Sequence, residues 1–315
     1  MSGYFLGIDG GGTKTTAKVC DGNGNIITET VGGSINYYGI GTDKARANLS
    51  AITKKIGGKT GIFEFRSVFI GLSALYTRAT AEELEKLTGG IINSDYIGMD
   101  SDLFIALEAT GAKGECAVCI CGTGSMSAAR KADGSIVCRG GYGYILGDEG
   151  SAYKIALEGL RRGILAYDDI EEKTALSKAI LDYFKISKMY DIIDLFYDPP
   201  MDRDDIARFA RVVAGCAGAG DKTAVEITES AAKEIAATVT SLLREFASPI
   251  PVGLYGGVFE NDAIFNKAFK EELNRLNNGV KAELLPMPPV SGALLAAFNE
   301  SGTQVTESVI QKLKI

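Results

Sequence analysis

The sequence predicts an α/β protein in two lobes, each opening on the same antiparallel meander. Three observations carry that reading. Short apolar strands alternate with helical stretches along the chain. A Gly-rich turn at residues 9–15 joins the first two β-prone runs. A Gly/Thr turn at residues 121–125 joins a second such pair, about 110 residues later. The length of 315 residues suits two domains at roughly 100–200 residues each.

The first lobe reads in order. Residues 4–8 are an apolar strand ending at Asp9. Residues 15–20 alternate and are β-prone, and Asp21-Gly22-Asn23-Gly24-Asn25 is a strong turn signal before a third strand at 26–31. This opening is a meander and not a βαβ unit. Ala45, Leu49, Ile52 and Ile56 recur at helical spacing over 42–56. A strand follows at 66–72. Thr80 and Glu83 form a capping-box pattern for a helix over 80–87. A strand within 91–97 and a helix over 101–110 close the lobe, giving an expected boundary of 1–112.

The second lobe, 113–315, repeats the opening with strands at 117–121, 125–131 and 135–139. Helical stretches follow at 151–165, 171–186, 202–218 and 221–247. Strands at 252–255 and 280–285 alternate with helices at 261–277 and 292–299. The last segment, about 292–315, is expected to pack near the hinge between the lobes.

Composition narrows the function classes. Hydrophobic residues make up 46% of the chain, enough for two cores and too many for disorder. The net charge is −7 with no basic cluster, so nucleic acid is not an expected partner. No apolar run reaches the roughly 18 residues of a membrane span. Met1-Ser2-Gly3-Tyr4 offers no basic leader segment, so a cytoplasmic location is the expectation.

The chain has no His, which excludes a Ser-His-Asp triad, a Cys-His dyad and a His-ligated zinc. Any general base must be Asp, Glu, Lys, Tyr or Cys. Cys116, Cys119 and Cys121 lie close together. A CxxC site is one reading, and small hydrophobes in a buried strand are the other. With no second CxxC and no His, the buried strand is favoured.

The first chemical motif is Asp9-Gly10-Gly11-Gly12-Thr13-Lys14-Thr15. Glycine backbone can approach a phosphate closely and aim its amides at the oxygens. The motif is neither a Walker A loop nor a GxGxxG turn. Asp9 at a strand end suits a water-mediated Mg²⁺ ligand, because Mg²⁺ keeps its waters. The second motif, Cys121-Gly122-Thr123-Gly124-Ser125, occupies the matching place in the repeat. Two such turns in a duplicated fold point to a nucleotide held between the lobes.

In order and spacing these motifs resemble the BadF/BadG-type ATPases, and most of all their N-acetylglucosamine kinase branch, over residues 6 to about 297. FLGIDGGGTKT and ICGTGS resemble the two phosphate motifs, and Leu254-Tyr255-Gly256-Gly257-Val258 the adenosine motif. The resemblance implies an actin-like fold of duplicated ribonuclease H-like lobes with an interlobe nucleotide and sugar cleft. It implies ATP-dependent phosphorylation of an amino sugar, with ATP and Mg²⁺ as cofactors and a homodimer as a possible assembly.

By the same resemblance Gly11, Gly12, Thr13, Lys14, Thr15, Gly122, Thr123, Gly124, Gly256 and Gly257 hold the nucleotide. Asn36, Asp102, Gly141, Tyr142 and Asp148 hold the sugar. Asp102 is the expected base, with Ser101 in place of the family's usual Asn and Asp100 as the rival. The alternative readings are that Asp102 and Asp100 are carboxylates placed by the helix dipole, Asn36 a turn residue, and Asp148-Glu149-Gly150-Ser151 a helix cap. Two other readings are an activator ATPase of a 2-hydroxyacyl-CoA dehydratase system and a non-catalytic sugar-binding protein.

Overall fold

The computed structural model describes residues 3–73 and 75–314. In chain order the first elements are β1 (Tyr4–Gly10), β2 (Lys14–Asp21), β3 (Ile26–Gly33), α1 (Tyr37–Ile40), α2 (Thr42–Thr60), β4 (Glu64–Leu72), α3 (Ala81–Thr88), β5 (Asn93–Ser101) and α4 (Asp102–Ala109). There follow β6 (Cys116–Cys121), β7 (Ser125–Arg130), β8 (Ile136–Gly140), α5 (Gly143–Leu146), α6 (Ala152–Tyr167), α7 (Ala175–Phe184), α8 (Ile192–Tyr197), α9 (Arg203–Ala207), α10 (Ala210–Gly218) and α11 (Lys222–Leu243). The chain closes with β9 (Val252–Tyr255), α12 (Gly257–Asn261), α13 (Ala263–Leu276), β10 (Ala282–Leu284), α14 (Pro289–Glu300) and α15 (Glu307–Leu313).

The strands form two five-stranded sheets with one topology. The first runs β3-β2-β1-β4-β5 and the second β8-β7-β6-β9-β10. In the first, β1–β2 and β2–β3 are antiparallel while β1–β4 and β4–β5 are parallel. In the second, β7–β8 is antiparallel while β6–β9 and β9–β10 are parallel. The duplication expected from the two Gly-rich turns is thus a duplication of strand order.

The chain divides into two compact units, Met1–Cys116 with Leu285–Ile315, and Ala117–Leu284. The C-terminal segment therefore belongs with the first unit and not with a 113–315 lobe. The reason lies in α14. Its residues are buried continuously from Pro289 to Phe298, and a helix apolar on all sides needs cover on all sides. The first unit provides it. A side chain at Gly7 of β1 would meet the Val290 carbonyl at 2.6 Å and the Leu294 amide at 2.7 Å. One at Gly292 would overlap the Ile105 carbonyl of α4. Phe5 stacks on Phe298 with centroids 4.0 Å apart.

Local chemistry sets the other boundaries. Thr80 and Glu83 form the expected capping box: the Glu83 amide donates to Thr80 Oγ1 at 3.2 Å and the Thr80 amide to Glu83 Oε2 at 2.8 Å. The stretch expected as one helix over 202–218 is two, α9 and α10. Short-range bonds such as Phe209 N to the Ile206 carbonyl at 3.0 Å tighten the chain between them. That bend turns the Phe209 ring onto Tyr183 and Phe184, at 5.3 and 5.8 Å. The helix expected over 261–277 is α13, started at Asp262, whose carboxylate accepts from the Phe265 amide at 3.0 Å. None of the described helices is long and apolar enough to cross a membrane.

Because Gly292 sits backbone to backbone on α4, Gly292→Ala is expected to destabilise the protein by about 1–3 kcal/mol through overpacking. A urea midpoint equal to that of the parent protein would show that α14 and α4 have room to separate.

Candidate active site

In the first unit the candidate residues collect at the carboxyl ends of the parallel strands, where α/β sheets place their ligands. Asp9 on β1 stands opposite Gly71 of β4, which stands opposite Asp100 of β5. Ser101 caps α4 by accepting from the Phe104 amide at 3.1 Å, so Asp102 becomes the first residue of that helix. The turn between β1 and β2 is closed by the Gly11 amide donating to the Lys14 carbonyl at 3.0 Å. Ser34 braces it by donating to the Gly11 carbonyl at 2.9 Å. Gly12, Thr13 and Lys14 are exposed. Thr15 is wholly buried.

Asn36 proves to be the N-cap of α1. Its Oδ1 accepts from the Tyr38 and Gly39 amides at 3.1 and 3.2 Å, and its Nδ2 donates to Ser73 Oγ at 3.1 Å. One Nδ2 hydrogen is left over from those bonds. Cap and ligand are therefore compatible roles for the same side chain.

The carboxyls of this unit are perturbed. Asp9 keeps some open surface yet lies deep among protein atoms. Burial pushes its pKa up to about 7, the charge of Asp102 adds to the rise, and Lys14 opposes it. Burial likewise pushes Asp102 up to about 6, against the pull of the Leu103 amide and its own. Asp100 is also raised by burial, but the Ser101 amide at 2.6 Å and the Arg78 charge hold it back. Arg78 is tied to Glu300 of α14 at 2.6 Å.

In the second unit the matching strand ends carry two glycine turns side by side, since Ile120 of β6 pairs with Tyr255 of β9. The Gly122 amide donates to the Gly124 carbonyl at 2.9 Å. The first amides of α6 hold this turn: Ala152 N donates to the Gly122 carbonyl at 2.9 Å and Tyr153 N to that of Thr123 at 3.3 Å. Gly256, at φ +108, lies so close to the Cys121 backbone that a side chain there would overlap its carbonyl. Asn261 Nδ2 fixes the following residue by donating to the Gly257 carbonyl at 2.8 Å.

Asp148 belongs to the same cluster. It is 5% exposed, with a left-handed backbone at φ +62. A side chain at Gly124 would lie 2.7 Å from its Oδ2. Burial raises its pKa, while the Ser125 amide, Arg203 and Lys154 lower it. The helix cap expected within residues 148–151 is Ser151, which accepts from Lys154 N at 3.3 Å. Gly141 takes φ +75 and Tyr142 is exposed. A pocket of about 230 Å³ opens here, with Met126, Tyr142, Leu146, Asp148, Ile235 and Thr238 among its walls.

Sequence reading missed two supporting residues. Ser73 follows β4 and orients Asn36. Arg203 lies 4.0 Å from Asp148 and 5.9 Å from the centre of the Tyr144 ring. Neither sits in a recognisable motif, and only the fold brings them to their partners. Cys116, Cys119 and Cys121 are fully buried. Burial raises Cys119 to about 12 and lifts Cys121 well above the ordinary thiol range. Among the described residues no group of Cys, Asp and Glu is arranged to hold a metal.

The raised carboxyls imply a pH-dependent cost. Their folded pKa values exceed the unfolded one, so their favourable contribution is complete below about pH 4 and is lost as pH rises through about 6 to 7. Asp102→Asn is therefore expected to stabilise the ligand-free protein at pH 8 by on the order of 2 kcal/mol. The gain should vanish at pH 4. Chemical denaturation at the two pH values checks this, and a gain independent of pH contradicts it.

Comparison with known proteins follows the same motifs. An N-acetylmuramic acid/N-acetylglucosamine kinase of Clostridium acetobutylicum is 28% identical over 302 residues, covering 94% of this chain and 99% of its own. An N-acetyl-D-glucosamine kinase of Dictyostelium discoideum is 28% identical over 314 residues, covering 94% and 98%. Among solved structures, one from Chromobacterium violaceum superimposes with a TM-score of 0.77 at 22% identity over 93% of this chain and 98% of its own. A glucokinase from Streptomyces griseus does so at 0.61 and 16%, over 95% and 100%. These structures share the fold. The family model for BadF/BadG/BcrA/BcrD ATPases matches residues 6–298, and the chain belongs to that family.

Proposed function

We propose that the protein transfers the γ-phosphoryl group of ATP to a hydroxyl of an amino sugar, N-acetylglucosamine first among them, at position 6. The family is one of ATPases, and curated relatives along nearly the whole chain are amino-sugar kinases. The observation that carries the chemistry is the Asp9–Asp102 pair at the strand ends of the first unit. Phosphoryl transfer needs positioning, charge stabilisation and a carboxylate for the hydroxyl proton.

In this reading the backbone of Gly11 and Gly12, with Thr13 and Lys14, holds phosphate oxygens. Gly122, Thr123 and Gly124 hold others, and Gly256 and Gly257 lie against the adenosine. Asn36, Gly141 and Asp148 grip sugar hydroxyls. Asp102 accepts the attacking hydroxyl's proton. Its pKa near 6 leaves it ionised at neutral pH yet more basic than an ordinary Asp. Asp9 fits a Mg²⁺ held through water. A cation beside Asp9 would offset the Asp102 charge that raises its pKa, and Mg²⁺ would supply neutralisation of the phosphate charge. The reading places the protein in the cytoplasm, where ATP and sugar meet.

Asp102→Asn is expected to lower kcat by about 10²–10⁴ while sugar affinity, read by calorimetry, stays within a few fold. Loss of turnover in Asp100→Asn with retention in Asp102→Asn would move the base to Asp100. Because Asp102 must be ionised to act, kcat/KM should fall below about pH 6; a rate flat from pH 5 to 8 would remove it from the mechanism. ADP release with MgATP should rise with one amino sugar from a panel of hexoses. Hydrolysis indifferent to every sugar would point to an activator ATPase instead.

A further inference from the structure

The pocket beside Asp148 has walls of two kinds. Met126 of β7, Ile235 of α11 and Leu146 of α5 supply apolar walls, and Ser125, Ser127, Asp148 and Glu149 polar ones, with Thr238 of α11 also lining the pocket. At its rim Leu146 is 81% and Tyr142 76% exposed. Leaving such side chains in water forgoes the gain of burying them, and bare apolar groups gathered at one opening mark a ligand surface. The turn that presents them is held in shape by its glycines. Gly140, Gly141 and Gly143 sit at φ +77, +75 and +80, where other residues are strained. A side chain at Gly141 would also lie 2.5 Å from Met126 Sδ, so the turn passes over the pocket with no room to spare.

The volume identifies the size of the guest. An apolar cavity of about 150 Å³ takes benzene, with its six carbons. The pocket here is about 230 Å³, far more than the two carbons of an acetyl group fill. Its place beside Asp148 and Gly141 puts it next to the groups read above as meeting the sugar ring.

We infer that this pocket receives the N-acyl chain of the amino sugar and accepts chains of four carbons or more. The inference rests on the kinase reading. Asp148 and Gly141 face the polar ring, and the neutral acyl chain lies along Met126, Ile235 and Leu146. Those side chains recognise carbon and not a particular acid, so the substrate class is N-acylated hexosamines of varied chain length.

The test is kcat/KM with MgATP for N-acetyl-, N-butanoyl- and N-hexanoylglucosamine. N-butanoylglucosamine is expected within tenfold of the acetyl compound, and a larger loss overturns the inference while leaving the kinase reading intact. Thr238→Trp, which fills the pocket from α11, is expected to lower the butanoyl-to-acetyl ratio at least tenfold. Met126→Ala, which enlarges it, is expected to raise the hexanoyl-to-acetyl ratio. An unchanged ratio in either variant, with the parent's melting temperature, overturns the inference, and if one variant does not fold the other decides. No turnover with any amino sugar overturns the kinase reading and this inference with it.

Discussion

The contact of α14 with β1 and α4, made through glycine on both sides, governs the first unit. Gly7 and Gly292 let backbone meet backbone, so the helix fixes the strand that ends in Asp9 and the helix that begins with Asp102. Side chains at those two positions would push the elements apart and carry the carboxyls with them. The contact also explains the domain boundary, because the helix that completes this core is the last long one in the chain.

The second unit solves a parallel problem with different means. Its sheet repeats the first in strand order, but its strand ends carry glycine turns braced by the start of α6 and by α12. The buried acid Asp148 lies against Gly124 of one such turn and is balanced by Arg203 and Lys154. One topology therefore supports two kinds of surface. In the first unit the chemistry is carboxylate on a rigid edge, and in the second it is shaped backbone beside a partly apolar pocket.

Much of this was legible in the sequence because it depends on local rules. Gly-rich turns between β-prone runs gave the meanders and hence the duplication, and Thr80 with Glu83 gave a helix start. Asp9 could be singled out because it stands at a strand end, and Asp102 because its surroundings resemble the family's motif. What was not legible depends on the third dimension. Nothing in residues 285–315 announces a return to the first core, since burial on all sides reads the same in either unit. Phe209 lies in the tightened link between α9 and α10, where periodicity alone would continue one helix. Ser73 and Arg203 matter only through partners 37 and 55 residues away along the chain.

The burial of the cysteines has a practical side. Cys20, Cys116, Cys119 and Cys121 are sealed from solvent, whereas Cys138 and Cys216 are partly open. Both open thiols belong to the second unit. A maleimide dye added to the unaltered protein would therefore tag one half of the molecule and leave the other dark, giving a spectroscopic handle on that half without any engineered site.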